Sequence, residues 1–275
     1  MPQSEKSAVE ISTRDFSYDV GASGSAVSRA IVVETPINIL FGGVGFAVMM
    51  ATPDDLEDFA FGFSFTEGII ARAEEIRAVE ISRVADGFKL DIALSGERLS
   101  AHLARARALS GRTGCGLCGI DDLAHLPRPP QVAAQAPIAP AAIKAALQTL
   151  DSRQRLNAQT HAAHGAAWCD RNGTIVALRE DVGRHNALDK LIGALLRQGA
   201  SAAEGFFVIT SRCSFEMVAK AAAFGASTLV AVSAPTSLAL ERAAACGLTL
   251  IALARSDHAT VFETKSPAEK GGLAA

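Results

Sequence analysis

The chain has 275 residues, 49% of them hydrophobic, and a formal net charge of -3 from 26 Lys and Arg against 29 Asp and Glu. This length and apolar content allow one large or two ordinary domains with buried cores and exclude a mostly disordered chain. The small negative charge gives no global pull toward nucleic acid or anionic membrane, and no apolar run approaches the ~20 residues that span a bilayer, so neither partner is expected.

The N-terminus, MPQSEKSAVEISTRD, is polar and lacks an apolar signal core, so cytoplasmic residence is the expectation. Residues 1–28 read as a mobile tail rich in Ser, Gly and charge. Apolar runs of strand length follow at Ala30–Val33, Ile37–Phe41 and Val44–Met50. Thr52-Pro53-Asp54-Asp55 predicts a helix start with Thr52 as N-cap, and Leu56, Phe59, Ala60 and Phe63 form one stripe before Gly68 stops the helix. Glu80–Arg83 and Phe88–Leu94 predict a hairpin around Ala85-Asp86-Gly87.

Five of the ten prolines fall between 127 and 140, which predicts a junction rather than a helix or central strand. Beyond it, Ala166–Cys169 and Thr174–Leu178 predict a hairpin around Arg171-Asn172-Gly173, and Asn186–Arg197 a helix. Strands at Phe206–Thr210, Thr228–Val232 and Leu248–Leu253, separated by helices at Phe215–Phe224 and Ser237–Cys246, argue for parallel strands with crossover helices. Val261–Glu263 adds an edge strand. The chain thus divides into a tail (1–28), an N-terminal α+β part (29–126), a Pro-rich junction (127–140), an α/β part (141–265) and a C-terminal tail (266–275).

The odd number of cysteines, five, argues against a disulfide scaffold. Cys169, Cys213 and Cys246 lie in apolar segments and read as buried small hydrophobes. Cys115 and Cys118 lie instead in GRTGCGLCG, 111–119, among glycines that leave the backbone free and near Arg105, Arg107 and Arg112, which favour a thiolate. Four readings compete: a structural zinc site, which would need distant ligands such as His161 and His164; a thioredoxin-like dithiol; a loop with incidental cysteines; and a sulfur-relay loop carrying a persulfide. The sulfur relay fits best, although one CxxC is a weak signal by itself.

Anion sites are expected where strands and helices leave free N–H groups. Glu180-Asp181-Val182-Gly183-Arg184-His185-Asn186 opens a helix, so Arg184 and His185 are candidate phosphate or base contacts. Ser211 and Arg212 follow one strand, Ser233–Ser237 the next, and Ala254–His258 the last. The carboxyl ends of parallel strands are where open α/β sheets bind ligands, so three such ends suggest a ligand with several phosphates. His161 and His164 have bland readings as satisfied polar residues, and HAAH lacks the metalloprotease pattern.

Taken together, TPDDLEDFAFGFSFTEGII (52–70), GRTGCGLCG (111–119), REDVGRHNALDKLIG (179–193), TSRCSFEMVAKAA (210–222) and VAVSAPTSLALE (230–241) resemble the FdhD/NarQ family of formate dehydrogenase accessory sulfurtransferases. The resemblance implies a cytidine-deaminase-like fold, a three-layer α/β domain with a mixed sheet beside the smaller N-terminal α+β part, and a homodimer. It implies that sulfur is taken from a cysteine desulfurase and passed to the molybdenum bis(molybdopterin guanine dinucleotide) of a formate dehydrogenase, bound as client cofactor. On this chain the persulfide cysteine would be Cys115 with Cys118 as partner, and the cofactor stretch would be Leu253, Ala254, Arg255, Ser256, Asp257 and His258. Leu253 and His258 depart from the aromatic and the second basic residue usual there. Deaminase chemistry is not implied, since Gly114 precedes Cys115 and no H-x-E occurs. A cofactor chaperone without catalysis and a zinc-binding interaction module are the competing functions.

Overall fold

The computed structural model describes residues 6–14, 26–100 and 128–262, so the cysteine loop at 110–119 with Cys115 and Cys118, the tail at 266–275 and Glu263 lie outside the described residues. In chain order, β1 (Ala8–Arg14) and β2 (Ala26–Val32) pair antiparallel as a separate two-stranded ribbon. The sequence reading placed these residues largely in a tail. They form strands because each finds its partner in the other, with Ala8 opposite Val32 and Arg14 opposite Ala26.

A four-stranded sheet follows, built from β3 (Thr35–Phe41), β4 (Val44–Ala51), β5 (Ile76–Val84) and β6 (Gly87–Leu94) in the order β4-β3-β6-β5. Gly42 and Gly43, both at positive φ, turn the first hairpin, and Asp86-Gly87 sits at the turn of the second. Ile37, Ile39, Phe41, Leu90 and Ile92 present one apolar face to α1 (Leu56–Thr66), whose Leu56, Phe59, Ala60 and Phe63 form the expected stripe. One expectation fails at the helix start. The N-cap is Asp55, in the left-handed region and without a side-chain cap. Thr52 is spent elsewhere, on residues more than a hundred positions away.

The C-terminal part is a six-stranded mixed sheet, β12-β11-β10-β9-β7-β8, with β7 (His164–Asp170), β8 (Ile175–Asp181), β9 (Gly205–Ile209), β10 (Thr228–Ala231), β11 (Thr249–Ala252) and β12 (Thr260–Val261). The strands β9, β10 and β11 run parallel, as the alternation of strand and helix predicts, while β7, β8 and β12 are antiparallel. The Arg171-Asn172-Gly173 turn joins β7 to β8, with Asp170 Oδ1 accepting from the Asn172 and Thr174 amides at 2.9 and 2.8 Å.

Helices cover both faces. Two of them, α2 (Pro140–Arg153) and α3 (Arg155–Thr160), have no counterpart in the sequence reading, because the Pro-rich junction obscured the Ala-rich run behind it. Pro140 occupies the first helical position, where its missing N–H costs nothing. Residues 137–153 supply Ile138, Ala142, Ile143, Ala146 and Leu150 to one face of the sheet, against Phe206, Val208, Val230 and Ile251. The opposite face, with Phe207, Ile209, Leu229 and Leu250, packs on α4 (Arg184–Arg197), α5 (Phe215–Phe224) and α6 (Ser237–Cys246). This is a three-layer α/β unit.

The two parts meet where α1 crosses α4. A Cβ on Gly62 would lie 1.7 Å from the Asp189 carbonyl oxygen, and one on Gly193 would lie 1.8 Å from that of Asp58, so only glycine permits this approach. Ion pairs to buried carboxylates flank the crossing. Asp58 accepts from Arg179 at 2.7 Å and from Arg197 at 2.5 Å, and Asp189 accepts from Lys220 at 2.8 Å and from Thr66 at 2.8 Å.

Candidate functional site

Strand direction decides which residues share an edge. Because β9, β10 and β11 are parallel, the loops after them emerge side by side. Their backbones are joined: Val232 N donates to Ile209 O at 2.9 Å, Cys213 N to Ala234 O at 3.1 Å, and Leu253 N to Ser233 O at 3.2 Å. The antiparallel β7 begins on the same edge, as Gly165 and Thr210 exchange hydrogen bonds there, and β8 ends on it. The edge therefore gathers His164, Arg184, His185, Ser211, Arg212, Ser233 and the Leu253–His258 turn.

That turn is tightly made. Arg255 N donates to His258 O at 2.7 Å, and Arg255 Nη1 donates to Val232 O and, at 2.9 Å, to Ala254 O. Ala254 is buried, while Arg255, Ser256, Asp257 and His258 are exposed at the tip. Leu253 adopts φ 53°, in the left-handed region that a leucine enters only under constraint from its surroundings. Asp257 accepts from the His258 ring at 2.8 Å, which holds its carboxyl below the usual carboxylate range.

The helix openings carry a second group. Arg184 and His185 occupy the first turn of α4 behind Gly183, its N-cap. This start lies two residues earlier than the periodicity predicted. Ser211 is buried, with its hydroxyl on Arg212 O at 3.0 Å, and Arg212 is exposed. Glu216, in the first turn of α5, approaches His185 Nε2 to 3.9 Å, an ion-pair distance but not a hydrogen bond.

Burial pushes His185 down to about 4, aided by Arg184 and Lys220 and opposed by Glu216. His164 is lowered by burial and by Arg184 and Arg212, against Asp181. At neutral pH both imidazoles are therefore uncharged, and Arg184 and Arg212 supply positive charge beside them. Three of the five buried side-chain polar atoms without a hydrogen-bond partner, among the described residues, lie in this one place: Arg184 Nε, His185 Nε2 and Ser214 Oγ. Buried polar atoms are nearly always satisfied, so this concentration marks a place suited to an external anion.

The sequence reading thus placed Arg184, His185, Ser211, Arg212 and Leu253–His258 on what proves to be one edge. It missed Ser214 and Glu216, although both lie at the opening of a helix after a strand, which is the signal that singled out Arg212. His164 was read as an ordinary polar residue, since its neighbours Arg184 and Arg212 are distant in sequence. Among the described residues no cluster of metal-ligating side chains occurs, and no helix is long and apolar enough to cross a membrane.

Comparison with known proteins gives a consistent answer. A family model described as the FdhD/NarQ family matches residues 32–267. The chain is 46% identical over 243 residues to the sulfur carrier protein FdhD of Xanthomonas euvesicatoria pv. vesicatoria, covering 88% of this chain and 86% of that one. It is likewise 46% identical over 239 residues to the sulfur carrier protein FdhD of Bordetella parapertussis, with 86% of each chain covered. A crystal structure from Desulfotalea psychrophila, provisionally described as a formate dehydrogenase accessory protein, superposes with a TM-score of 0.70 at 28% identity, covering 94% of this chain and 98% of that one.

Proposed function

The chain belongs to the FdhD/NarQ family, and from that premise we propose that it is a sulfur carrier and sulfurtransferase serving a formate dehydrogenase. In this reading sulfur comes from a cysteine desulfurase, is held as a persulfide on Cys115, and is delivered to the molybdenum bis(molybdopterin guanine dinucleotide) of the client enzyme. A homodimer, a cytoplasmic location and the cytidine-deaminase-like fold label belong to the same proposal. The mixed sheet with helices on both faces is consistent with that label.

The observation that carries the reading is the state of the other thiols. Burial raises Cys169 and Cys213 to about 12 and raises Cys246 above the usual thiol value. The thiolate is the sulfur nucleophile, so at neutral pH none of the three is prepared to take up sulfur. That role then falls to Cys115 and Cys118.

The chemistry balances with two cysteines. The Cys115 thiolate attacks the terminal sulfur of the donor persulfide, the donor S–S bond breaks, and the donor leaves as a thiolate. The Cys118 thiolate then attacks the inner sulfur of the Cys115 persulfide. A Cys115–Cys118 disulfide forms, and the terminal sulfur departs with the electron pair as sulfide for the client. A cellular dithiol restores both thiols. Meanwhile Arg184, Arg212 and the strand-end loops hold the phosphates of the client's guanine nucleotides.

Mass spectrometry after incubation with a desulfurase and cysteine tests this proposal. A one-sulfur adduct on Cys115, absent in Cys115→Ala and accumulating in Cys118→Ala, is the expected result. No adduct on either cysteine contradicts it and leaves a chaperone without catalysis; stoichiometric zinc with no adduct leaves a zinc-binding module.

A further inference from the structure

The turn that presents Arg184 and His185 is held by the N-terminal part of the chain. Asp181, at the end of β8, is fully buried and spends both carboxylate oxygens. Oδ1 accepts from Gly183 N at 2.7 Å and Asn186 Nδ2 at 3.0 Å, while Oδ2 accepts from Lys190 Nζ at 2.7 Å and Thr52 N at 3.0 Å. Thr52, between β4 and α1, completes the arrangement. Its hydroxyl accepts from Val182 N at 3.1 Å, and its carbonyl accepts from Lys190 Nζ at 2.9 Å. Asn186 Nδ2 reaches Met50 O at 2.7 Å. Thr52, Asp181 and Lys190 are all 0% exposed, and Asn186 is 3% exposed, so water cannot substitute for any of these groups.

Space is as closely fixed as the bonding. A Cβ on Gly183 would lie 2.8 Å from Asn186 Nδ2 and 3.4 Å from Asp181 Oδ1. The Val182 amide is bound to Thr52 and the Gly183 amide to Asp181. The conformation of the Val182–Gly183 turn, and with it the direction in which Arg184 and His185 point, therefore depends on a residue outside the α/β part.

We infer that Thr52 and Asp181 are positioning residues for the anion site, and that docking of the β4–α1 connection against β8 and α4 is required for the site to bind phosphate. This deepens the proposed function and rests on its phosphate site. The four-stranded sheet belongs to the same N-terminal part as Thr52. Phosphate binding at the edge and the seating of that part are then thermodynamically linked, each strengthening the other.

The hydroxyl of Thr52 offers a clean test, since Thr52→Val keeps shape and backbone bonds while removing the acceptor for Val182 N. Titration calorimetry with GDP is run on the full chain, on Thr52→Val, on Thr52→Ser and on Ile143→Val, a control in the core on the opposite face of the sheet. Loss of one buried hydrogen bond at the turn predicts a roughly tenfold weaker Kd for Thr52→Val. Thr52→Ser restores affinity and Ile143→Val leaves it unchanged. If Thr52→Val does not fold, Asn186→Ala, which removes the ties to Met50 and Asp181, is expected to weaken GDP by a similar factor. Parent-like affinity in Thr52→Val, or equal losses in all three variants, overturns the inference alone. Failure of the parent to bind GDP overturns the phosphate site and this inference with it.

Discussion

Two neighbouring regions treat buried polar groups in opposite ways. At the seam between α1 and α4, each carboxylate has its cation: Asp58 has Arg179 and Arg197, Asp189 has Lys220, and Asp181 has Lys190. At the adjoining sheet edge, Arg184 Nε, His185 Nε2 and Ser214 Oγ are buried without hydrogen-bond partners among the described residues. The seam is closed to further ligands and serves to join two sheets. The edge carries an unmet demand for acceptors and negative charge, which a phosphate-bearing ligand would satisfy. The two regions meet at Asp181, which pairs with Lys190 in the seam and holds the Gly183 amide of the turn before Arg184.

Substitutions that empty the seam should have the largest effects. Asp181→Ala leaves the Lys190 ammonium, 0% exposed, with the Thr52 carbonyl as its remaining hydrogen-bond acceptor among the described residues. A loss of about 3–5 kcal/mol is expected in chemical denaturation, as for other broken buried pairs. Next is Gly62→Ala, whose Cβ would collide with the Asp189 carbonyl and force α1 from α4. About 2–3 kcal/mol should be lost, with the denaturation midpoint reporting it. A loss near zero in either case would mean that the two parts are not joined at this seam.

The edge should respond to pH rather than to packing. His185 has a folded-state value of about 4, below the ordinary 6.5, so the unfolded chain takes up the proton first. Its contribution to stability is complete above pH 6.5 and is lost as pH falls from 6.5 toward 4. In His185→Gln this part of the pH dependence should disappear, and the denaturation midpoint should fall less steeply across that window than in the parent.

Legibility from sequence followed the range of the interactions. The alternation β9-α5-β10-α6-β11 was readable because each run is apolar and each helix ends at a glycine, Gly225 or Gly247, at positive φ. Asn172-Gly173 gave the β7–β8 hairpin, and the Leu56–Phe63 stripe gave the buried face of α1. The gathering of loops at one sheet edge was half legible, because a parallel sheet places its strand ends together whatever their side chains. What escaped depends on remote partners. Strand β1 has exposed apolar residues and acquires its identity only against β2. Thr52 looked like a helix cap because residues 181, 182 and 190 are invisible from position 52. His164 owes its place in the cluster to residues near 184 and 212.

The central claim is that the unpartnered groups of the sheet edge exist for a phosphate-bearing ligand, and calorimetry with GDP on the parent and on Arg184→Gln/His185→Gln tests it most directly. The account predicts saturable binding by the parent and a loss of roughly tenfold or more in the double variant, whose stability at neutral pH stays within about 1 kcal/mol of the parent. Equal GDP affinity in the two proteins, or no binding by a fully folded parent, would contradict it.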